Sequence, residues 1–469
     1  MATAIVLGAG MVGSVIAADL ADDDDFDVSI ADVRAEALSA AQSRAAGRVE
    51  TIQVDLSDPA IVRETVADFD LVLGALASSI GFQTLRAVIE AGKNFCDICF
   101  MAEDALELDE LAKHHGVTAV VDCGVAPGMS NLLAGYGATL LDRCDNIEIY
   151  VGGLPRNPQP PFFYKAAFSP HDVIEEYTRP ARLVENGKVV IREALSEVES
   201  IDLPGVGKLE AFNTDGLRSL IHTMDVPSMI EKTLRYPGHV QIMQAFRDAG
   251  FFSKEPITVG DCEIRPLDLT SELVIPQWSY AEGEEDLTVM RIVVEGSKNG
   301  IACRHIWDLL DYYDRQTNTT SMSRTTAFPC AIVARMIARG QIDQTGVIPP
   351  ERLARQPDFV TSVLGELASA PFSASERGNQ VFIAMVRYDK MLRDISTLKG
   401  KDKVLARMMD PISFIWGGGK KALKFRIGEA GGEKALEKAL AGEELSQEEI
   451  EFMLHVTVRD KAFPMVLST

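Results

Sequence analysis

The sequence predicts an α/β protein with a doubly wound parallel sheet, a second α+β domain and a helical C-terminal tail. Residues 1–125 alternate short β-rich runs with amphipathic helical stretches, which is the arrangement of parallel strands joined by crossover helices. The runs are continuously apolar, as in strands that are covered on both faces. After residue 125 the pattern changes to alternating runs and a proline-rich loop at 153–161, which indicates a mixed or antiparallel sheet.

The elements follow in order along the chain. In the first domain, residues 1–125, strands are predicted at 4–7, 28–31, 49–54, 71–75, 95–100 and 117–122, and helices at 11–20, 35–46 and 82–91. In the second domain, residues 126–320, strands are predicted at 147–151, 189–192 and 288–294. A further helix is expected over 321–340, where it ends at Gly340.

Composition narrows the class of protein. A chain of 469 residues predicts two or three domains. The formal net charge of −23 disfavours nucleic acid and anionic membranes as partners, and no run approaches the ~18 to 20 apolar residues of a transmembrane helix. The apolar start, residues 1–8, lacks the basic segment of a signal peptide and fits a strand better. We therefore expect a cytoplasmic protein.

The seven cysteines are scattered and lie mostly in apolar runs. Cys96 and Cys99 form a CxxC, but they fall on the strand predicted at 95–100, where positions three apart point to opposite faces. We therefore expect two core cysteines rather than a redox or metal pair, and no metal site is predicted.

A glycine-rich turn follows the first predicted strand and precedes the first helix. It reads Gly8-Ala9-Gly10-Met11-Val12-Gly13, a GxGxxG. The first glycine permits a tight turn, the second lets the backbone approach a pyrophosphate, and the third lets helix and strand pack closely. Alone, the pattern is compatible with a structural turn, but its context predicts a dinucleotide site in a Rossmann domain.

The choice of dinucleotide depends on the second predicted strand, which Asp32 ends. A carboxylate there can bind both ribose hydroxyls and would repel a 2′-phosphate, which favours NAD over NADP. Arg34 could accept a 2′-phosphate, so NADP stays open. The alternative role for Asp32 is a cap for the next helix.

The turns after the third and fourth strands are also expected beside the cofactor. Asp55 could contact the adenine or, equally, cap the turn before Asp58-Pro59. Ala75 and Leu76 follow the fourth strand and would run beside the pyrophosphate and nicotinamide, because ligands bind outside the carboxyl ends of the strands.

A family resemblance begins where the sixth predicted strand ends, at the DxGxxPGM segment Asp122-Cys-Gly-Val-Ala-Pro-Gly-Met129. Further segments follow in order: Tyr150-Val-Gly-Gly-Leu-Pro155, Phe163-Tyr-Lys-Ala-Ala-Phe-Ser169, Asp215-Gly-Leu-Arg218, Thr233-Leu-Arg-Tyr-Pro-Gly-His239 and Ser321-Met-Ser-Arg-Thr325. Together they resemble the saccharopine dehydrogenase superfamily over residues 1–350. Ser169-Pro170, Glu175-Glu-Tyr-Thr-Arg-Pro-Ala-Arg182 and Asp215–Arg218 resemble its lysine 6-dehydrogenase branch most.

The resemblance implies that the second domain is inserted before a helix that returns to the Rossmann domain, which residues 321–350 match. It also implies a homodimer that acts on a small-molecule amino acid. The lysine branch oxidises the carbon that bears the ε-amine of L-lysine, with release of ammonia and aminoadipate semialdehyde. Such chemistry requires an acid–base group, an anchor for the α-carboxylate and close contact with the nicotinamide.

Three side chains are candidates for the acid–base role. Lys165 stands among aromatic residues, which would desolvate it and lower its pKa; the alternative is a surface lysine. Asp122 could hold the substrate ammonium or share the base role, and its alternative is a helix cap. His239 is a rival base or, equally, a structural hydrogen-bonding group.

The carboxylate anchors are expected to be Arg218 and Arg235, since guanidinium groups bind carboxylates in a bidentate manner. Either could instead form a structural ion pair. Tyr164, beside Lys165, is expected to contact the substrate as well.

Two other functions remain open. A saccharopine or related opine-type dehydrogenase would take a secondary amine with additional carboxylates, and its pocket would need further cations. A non-catalytic, nucleotide-sensing Rossmann protein is disfavoured by the full set of family segments.

The tail, residues 365–469, falls outside the resemblance. Its first part, 365–380, is rich in Ser, Ala and Pro and indicates a linker, and the segment 387–426 carries 11 basic residues against 4 acidic ones. We expect this helical extension to dock on the acidic body of the protein rather than on a membrane surface.

Overall fold

The computed structural model describes residues 1–281 and 283–369. Seven parallel strands form the sheet of the first domain: Ala2–Leu7 (β1), Phe26–Asp32 (β2), Val49–Gln53 (β3), Leu71–Gly74 (β4), Asn94–Asp97 (β5), Thr118–Val120 (β6) and Gly346–Ile348 (β17). Their order is β17-β6-β5-β4-β1-β2-β3. The chain leaves β1 for β2 on one side and reaches β4 on the other, so a switch point opens at the carboxyl ends of β1 and β4.

Helices cover both faces of this sheet. They are Gly13–Leu20 (α1), Ala35–Arg44 (α2), Pro59–Val66 (α3), Ser78–Glu90 (α4) and Asp109–His115 (α5), with a 3-10 turn at Ala105–Leu108. Successive side chains of β1 enter opposite cores: Val6 packs in one apolar cluster and Ile5 in the other. The continuously apolar runs thus mark strands buried on both faces, as predicted.

The second domain contains a mixed sheet of eight strands and a separate two-stranded hairpin. The sheet strands are Arg143–Pro155 (β7), Ala181–Glu185 (β8), Lys188–Arg192 (β9), Glu199–Leu203 (β10), Gly207–Asn213 (β11), Ser228–Arg235 (β12), Asp286–Lys298 (β15) and Ile301–Tyr312 (β16). The hairpin is Ile257–Val259 (β13) and Cys262–Ile264 (β14). The sheet order is β10-β11-β12-β7-β15-β16, and the β8–β9 pair joins at β12.

Helices of the second domain pack on this sheet and on each other. They are Met129–Thr139 (α6), Pro170–Thr178 (α7), Leu220–Thr223 (α8), His239–Asp248 (α9) and Pro266–Trp278 (α10). Helices α7, α9 and α10 enclose an aromatic core that includes Phe162, Tyr164, Tyr177 and Trp278.

The chain then returns to the first domain. Helix Ser321–Ala338 (α11) is buried along most of its length and packs on α1 and β5, and β17 pairs parallel with β6. Helices Pro350–Leu353 (α12) and Pro357–Ser369 (α13) follow. The predicted fold class is confirmed for the two domains.

The predicted linker is wrong over its first residues, because 365–369 continue α13. The apolar side chains of α13, among them Phe359, Val363 and Leu367, are buried in the same core as α11, so tertiary packing outweighs the small and polar composition. The rest of the predicted tail, 370–469, lies outside the described residues. Among the described residues, no helix is long and apolar enough to cross a bilayer.

Candidate active site

The three glycines of the first turn play distinct geometric roles. Gly8 has φ +103°, which side-chain-bearing residues rarely adopt. A Cβ on Gly13 would lie 1.9 Å from the Gly8 carbonyl oxygen, so helix α1 approaches the turn as closely as glycine allows. A Cβ on Gly10 would meet nothing within 4 Å. The turn is therefore open at the second glycine, where a pyrophosphate would approach the backbone.

The loop after β4 lies against this turn. A Cβ on Gly8 would stand 2.4 Å from the Ala75 carbonyl oxygen and 3.4 Å from Leu76 Cδ2. The Ala75 amide donates to the Leu7 carbonyl at 2.8 Å, which extends the pairing of β1 and β4 beyond the strands. Ala75 and Leu76 thus flank the turn formed by residues 8–13. Met11 and Val12 complete it at the start of α1, with Met11 exposed.

Asp32 lies at the end of β2 and is nearly buried. Its carboxylate accepts the Ala9 amide at 2.8 Å and pairs with Arg34, whose Nε lies 3.1 Å from Oδ1. Burial opposes the charged form, but the hydrogen bonds from Arg34 and Ala9 outweigh it and lower the pKa of Asp32. The Arg34 side chain is 60% exposed. The exposed group at the end of β2 is therefore this guanidinium, not the carboxylate.

Asp55 makes the kind of turn contact that was given above as the alternative to contact with the adenine. Its carboxylate accepts the Ser57 amide at 2.9 Å in an exposed turn, and this hydrogen bond lowers the pKa of Asp55. The cap of helix α3 is Asp58, which accepts from the Ala60 amide. These contacts describe a turn, and contact of Asp55 with the adenine stays a prediction.

Asp122 and Arg218 come together at the carboxyl end of β6. Nε and Nη2 of Arg218 each lie 3.3 Å from Asp122 Oδ1, and Nη1 donates to the Met101 carbonyl. Both side chains are almost fully buried. Burial raises the pKa of Asp122, against the opposing charge of Arg218. Gly128 caps helix α6, so the alternative role of Asp122 as a helix cap is wrong.

A second carboxyl that sequence reasoning missed lies beside this pair. The strand predicted at 95–100 ends at Asp97 in the structure, so the Asp97 side chain sits at the carboxyl edge of the sheet. Burial, reinforced by the charge of Asp122, raises the pKa of Asp97 to about 7. Little in the sequence indicated this, because Asp97 lies inside the apolar run 95–100, whereas Asp122 ends the run 117–122.

The wall of this cluster combines Phe100 of the first domain with arginines of the second. Two guanidinium groups contact the Phe100 ring, with Arg179 Cζ and Arg218 Cζ each 5.1 Å from its centroid. Arg182 forms a bidentate pair with Asp215, both contacts 2.8 Å. This pair fixes the loop that carries Arg218, whose backbone has φ +54°. Arg179, which the sequence did not single out, ends helix α7.

Lys165 lies in different surroundings. Its Nζ lies 2.5 Å from Glu284 Oε2 and 3.0 Å from the Ser279 carbonyl oxygen. Burial opposes the charge of Glu284, but the hydrogen bond from Lys165 outweighs it and lowers the pKa of Glu284. Lys165 also lines a cavity of about 150 Å³. The cavity wall is Pro155, Asn157, Gln159, Pro160, Pro161, Phe162, Tyr164, Lys165 and Gln277, all from the second domain.

Arg235 is enclosed by fixed partners. Its Nη2 lies 2.6 Å from Glu176 Oε2, its Nε lies 3.2 Å from the Tyr177 hydroxyl, and its Cζ stands 4.3 Å from the Tyr164 ring centroid. Its Nη1 donates to the Leu234 carbonyl. Tyr164 is itself buried in the aromatic core. The geometry matches the structural ion pair that was the alternative to a substrate anchor.

His239 belongs to the same core. Its Nδ1 lies 2.8 Å from the Phe162 carbonyl oxygen and its Nε2 lies 2.8 Å from the Tyr177 hydroxyl. Burial, together with the charge of Arg235, lowers the pKa of His239 to about 3. The ring is therefore neutral, with Nδ1 donating and Nε2 accepting. Both nitrogens have protein partners, which matches the structural alternative for this residue.

Comparisons with known proteins place the whole described chain in one family. Residues 4–120 match the model of the saccharopine dehydrogenase NADP binding domain, and residues 124–371 match that of the saccharopine dehydrogenase C-terminal domain. In structure, the chain is similar to apo saccharopine dehydrogenase (L-Glu forming) from Saccharomyces cerevisiae. The TM-score is 0.66 at 17% identity, over 82% of this chain and 100% of that one, which shows the fold.

Curated relatives are distant in sequence. The saccharopine dehydrogenase [NADP(+), L-glutamate-forming] of Schizosaccharomyces pombe is 22% identical, over 64% of this chain and 83% of its own length. The carboxyaminopropylagmatine dehydrogenase of Synechocystis is 23% identical, over 78% and 96%. The chain spans only 36% of the α-aminoadipic semialdehyde synthase of Arabidopsis thaliana, at 23% identity over 64% of this chain. With both domain models matched in order, the chain belongs to the saccharopine dehydrogenase family of oxidoreductases.

Proposed function

We propose that the protein is an NAD(P)-dependent dehydrogenase that oxidises the carbon–nitrogen bond of an amino acid, with the side-chain amine of L-lysine as its first substrate. The observation that carries this proposal is the buried Asp122–Arg218 pair at the carboxyl edge of the sheet that also carries the glycine turn. A buried carboxylate next to a dinucleotide site suits a substrate that brings a positive amine to the nicotinamide.

The first domain has the features that a dinucleotide requires. The open backbone at Gly10 and the start of α1 would hold the pyrophosphate, because amide groups and the helix dipole favour negative charge there. Ala75 and Leu76 would line the path toward the nicotinamide. When bound, the nicotinamide accepts a hydride from the carbon that carries the amine.

The Asp32–Arg34 pair governs the ribose subsite. A 2′-phosphate would draw the exposed Arg34 guanidinium away from Asp32, whereas a 2′-hydroxyl would have to share a carboxylate whose oxygens already accept hydrogen bonds. This favours use of NADP at least as well as NAD, and so revises the preference for NAD that Asp32 alone suggested. The match to the saccharopine dehydrogenase NADP binding domain also supports use of NADP.

Arg34→Ala tests the ribose subsite. We expect kcat/KM with NADP to fall about tenfold or more, because a charge-assisted contact is lost, while kcat/KM with NAD changes little. Initial rates at 340 nm over a range of each cofactor give both numbers. Equal losses with the two cofactors would show that Arg34 does not contact the 2′-position.

Asp122 would hold the substrate amine, and Arg218 would position Asp122. The guanidinium of Arg218 already contacts Asp122 with two nitrogens and Met101 with the third, so it is a positioning residue rather than a free anchor. Arg179 is the better anchor for a substrate carboxylate. Its Nη1 is buried and has no hydrogen-bond partner within the described part of the chain.

A second candidate function is oxidation of a secondary amine of the saccharopine type. Two observations support it. The relatives are named for saccharopine and carboxyaminopropylagmatine, and a substrate with additional carboxylates would use the cations that surround Phe100, Arg179 among them. Lys165, close to Glu284, is available as a further cation only if that pair opens.

Absorbance at 340 nm with NAD or NADP against L-lysine and saccharopine tests the proposal. We expect turnover of L-lysine with release of ammonia; turnover of saccharopine alone would establish the second candidate. Tight NADPH binding without turnover of either amine would indicate a nucleotide-sensing protein. We also propose a homodimer, which light scattering of the full chain can test.

A further inference from the structure

Asp97 occupies a position between the glycine turn and the Asp122–Arg218 pair. Its strand, β5, lies between β4 and β6 in the sheet. A Cβ on Gly74 would stand 2.3 Å from Asp97 Oδ1, so the carboxyl fits only because β4 ends in a glycine. The next residue after Gly74 is Ala75, which contacts Gly8. The Asp97 carboxyl therefore lies one residue away from the loop that flanks the cofactor turn.

The hydrogen bonding of Asp97 is incomplete. Its Oδ1 accepts the Cys99 amide at 3.1 Å, whereas Oδ2 is buried and has no hydrogen-bond partner in residues 1–281 and 283–369. The side chain is only 1% exposed. Buried polar atoms are normally satisfied, and an exception at a sheet edge where ligands bind points to a partner that arrives with the ligand.

The charges around Asp97 have opposing effects on its ionisation. Asp122 opposes its ionisation and Arg218 favours it, and the remaining titratable neighbours are the thiols Cys99 and Cys330. Asp122 has the Arg218 guanidinium as a direct partner, whereas within the described ranges no cationic side chain pairs with Asp97. Asp97, with a pKa of about 7, can gain and lose a proton near neutral pH.

We propose that Asp97 is the catalytic base that takes a proton from the substrate ammonium through its unpartnered Oδ2. The N–H bond breaks and an O–H bond forms on Asp97, which leaves a free amine with its lone pair. That lone pair then forms the C=N bond as the C–H bond breaks, and the hydride passes to the oxidised nicotinamide dinucleotide. Asp97 returns its proton to water. This inference rests on the proposed amine oxidation and assigns its proton-transfer step.

Asp97→Asn tests the assignment. The substitution preserves size and the hydrogen bond to the Cys99 amide but cannot accept a proton. We expect kcat/KM for the amine to fall about 100-fold or more. In the unmodified protein kcat/KM should decline tenfold per pH unit below a pH near 7, and this acid limb should vanish in the variant. Quenching of protein fluorescence by NADPH should be unchanged, because Asp97 takes no part in holding the cofactor phosphates.

Two further variants separate a catalytic role of Asp97 from a structural one. Asp97→Glu restores a base and should recover part of kcat together with the acid limb, which a merely structural role would not do. Asp70→Asn, at the opposite end of β4, is the matched control and should retain normal kcat/KM. Rates in Asp97→Asn within threefold of normal with the acid limb intact would overturn the inference. A lower melting temperature in Asp97→Asn together with no recovery in Asp97→Glu would overturn it as well. Failure of the unmodified protein to oxidise either amine would instead overturn the proposed function.

Discussion

Arg218 and Arg235 are both buried arginines paired with an acid, yet their surroundings differ. Arg235 has partners for its guanidinium on Glu176, Tyr177 and its own strand, and aromatic rings enclose it. Arg218 lies among groups with unmet hydrogen-bonding capacity, since Asp97 Oδ2 and Arg179 Nη1 lack partners in the described residues. A buried charge alone therefore does not indicate a functional site. Buried polar atoms that lack hydrogen-bond partners close to the glycine turn do.

The two arginines should differ most in what their removal does to the free energy of unfolding. Arg235→Met should destabilise the protein by about 3–5 kcal/mol, because it leaves Glu176 as an unpaired acid that is largely shielded from solvent. The double variant Arg235→Met with Glu176→Leu should recover much of this loss. Denaturant unfolding measures both. A single-variant cost below about 1 kcal/mol, typical of exposed pairs, would show that the cluster around Arg235 is not a structural core.

A pH dependence should arise from His239 in the same cluster. Its pKa falls to about 3 on folding, so the unfolded chain binds the proton first. The stabilisation is present above pH 6.5 and is lost as the pH falls, by about 1.4 kcal/mol per pH unit. His239→Gln should therefore lose less stability than the unmodified protein between pH 6.5 and 5.

Comparison of the unmodified protein with His239→Gln isolates the effect of His239 on the free energy of unfolding. Asp97, whose pKa is raised on folding, affects this free energy with the opposite sign, but it does so equally in both proteins. Asp97 favours the folded state at low pH and loses that contribution as the pH rises toward 7. Identical acid sensitivity in the His239→Gln variant and the unmodified protein, measured by unfolding at each pH, would show that the imidazole is not buried in its neutral form.

The smallest effect is expected at Lys165. Its pair with Glu284 is partly exposed, and such pairs contribute at most about 1 kcal/mol. Lys165→Met should therefore keep turnover within about threefold of normal, with Glu284→Gln as the matched control. A loss of about 100-fold with NADPH binding intact would restore Lys165 as the acid–base residue.

The cofactor half of the site was accessible from the sequence because it is local. The turn from Gly8 to Gly13 and the loop at Ala75 depend on neighbouring residues and on strand order, which the alternating pattern predicts. The substrate half depends on partners far apart in the chain. Lys165 and Glu284 are 119 positions apart, and Arg235 and Glu176 are 59 apart.

The position at which a strand ends was also difficult to predict from the sequence. Because the predicted strand extended to residue 100, Asp97 was not recognised as a residue at the carboxyl edge of the sheet. A side chain inside a strand points to one face of the sheet rather than to its edge. Tertiary context ended the strand at Asp97, and the apolar residues that follow, Cys99 and Met101, pack into the core instead.

Chemistry is expected at Asp122 and Arg218 and not at Glu176 and Arg235. The most direct measurement is kcat/KM for the amine, per folded molecule, in Asp122→Asn and Glu176→Gln at one pH. We predict a loss of about 100-fold or more in Asp122→Asn, and a lower melting temperature with kcat/KM within threefold of normal in Glu176→Gln. Normal kcat/KM in Asp122→Asn together with loss of turnover in folded Glu176→Gln would contradict the assignment of the site.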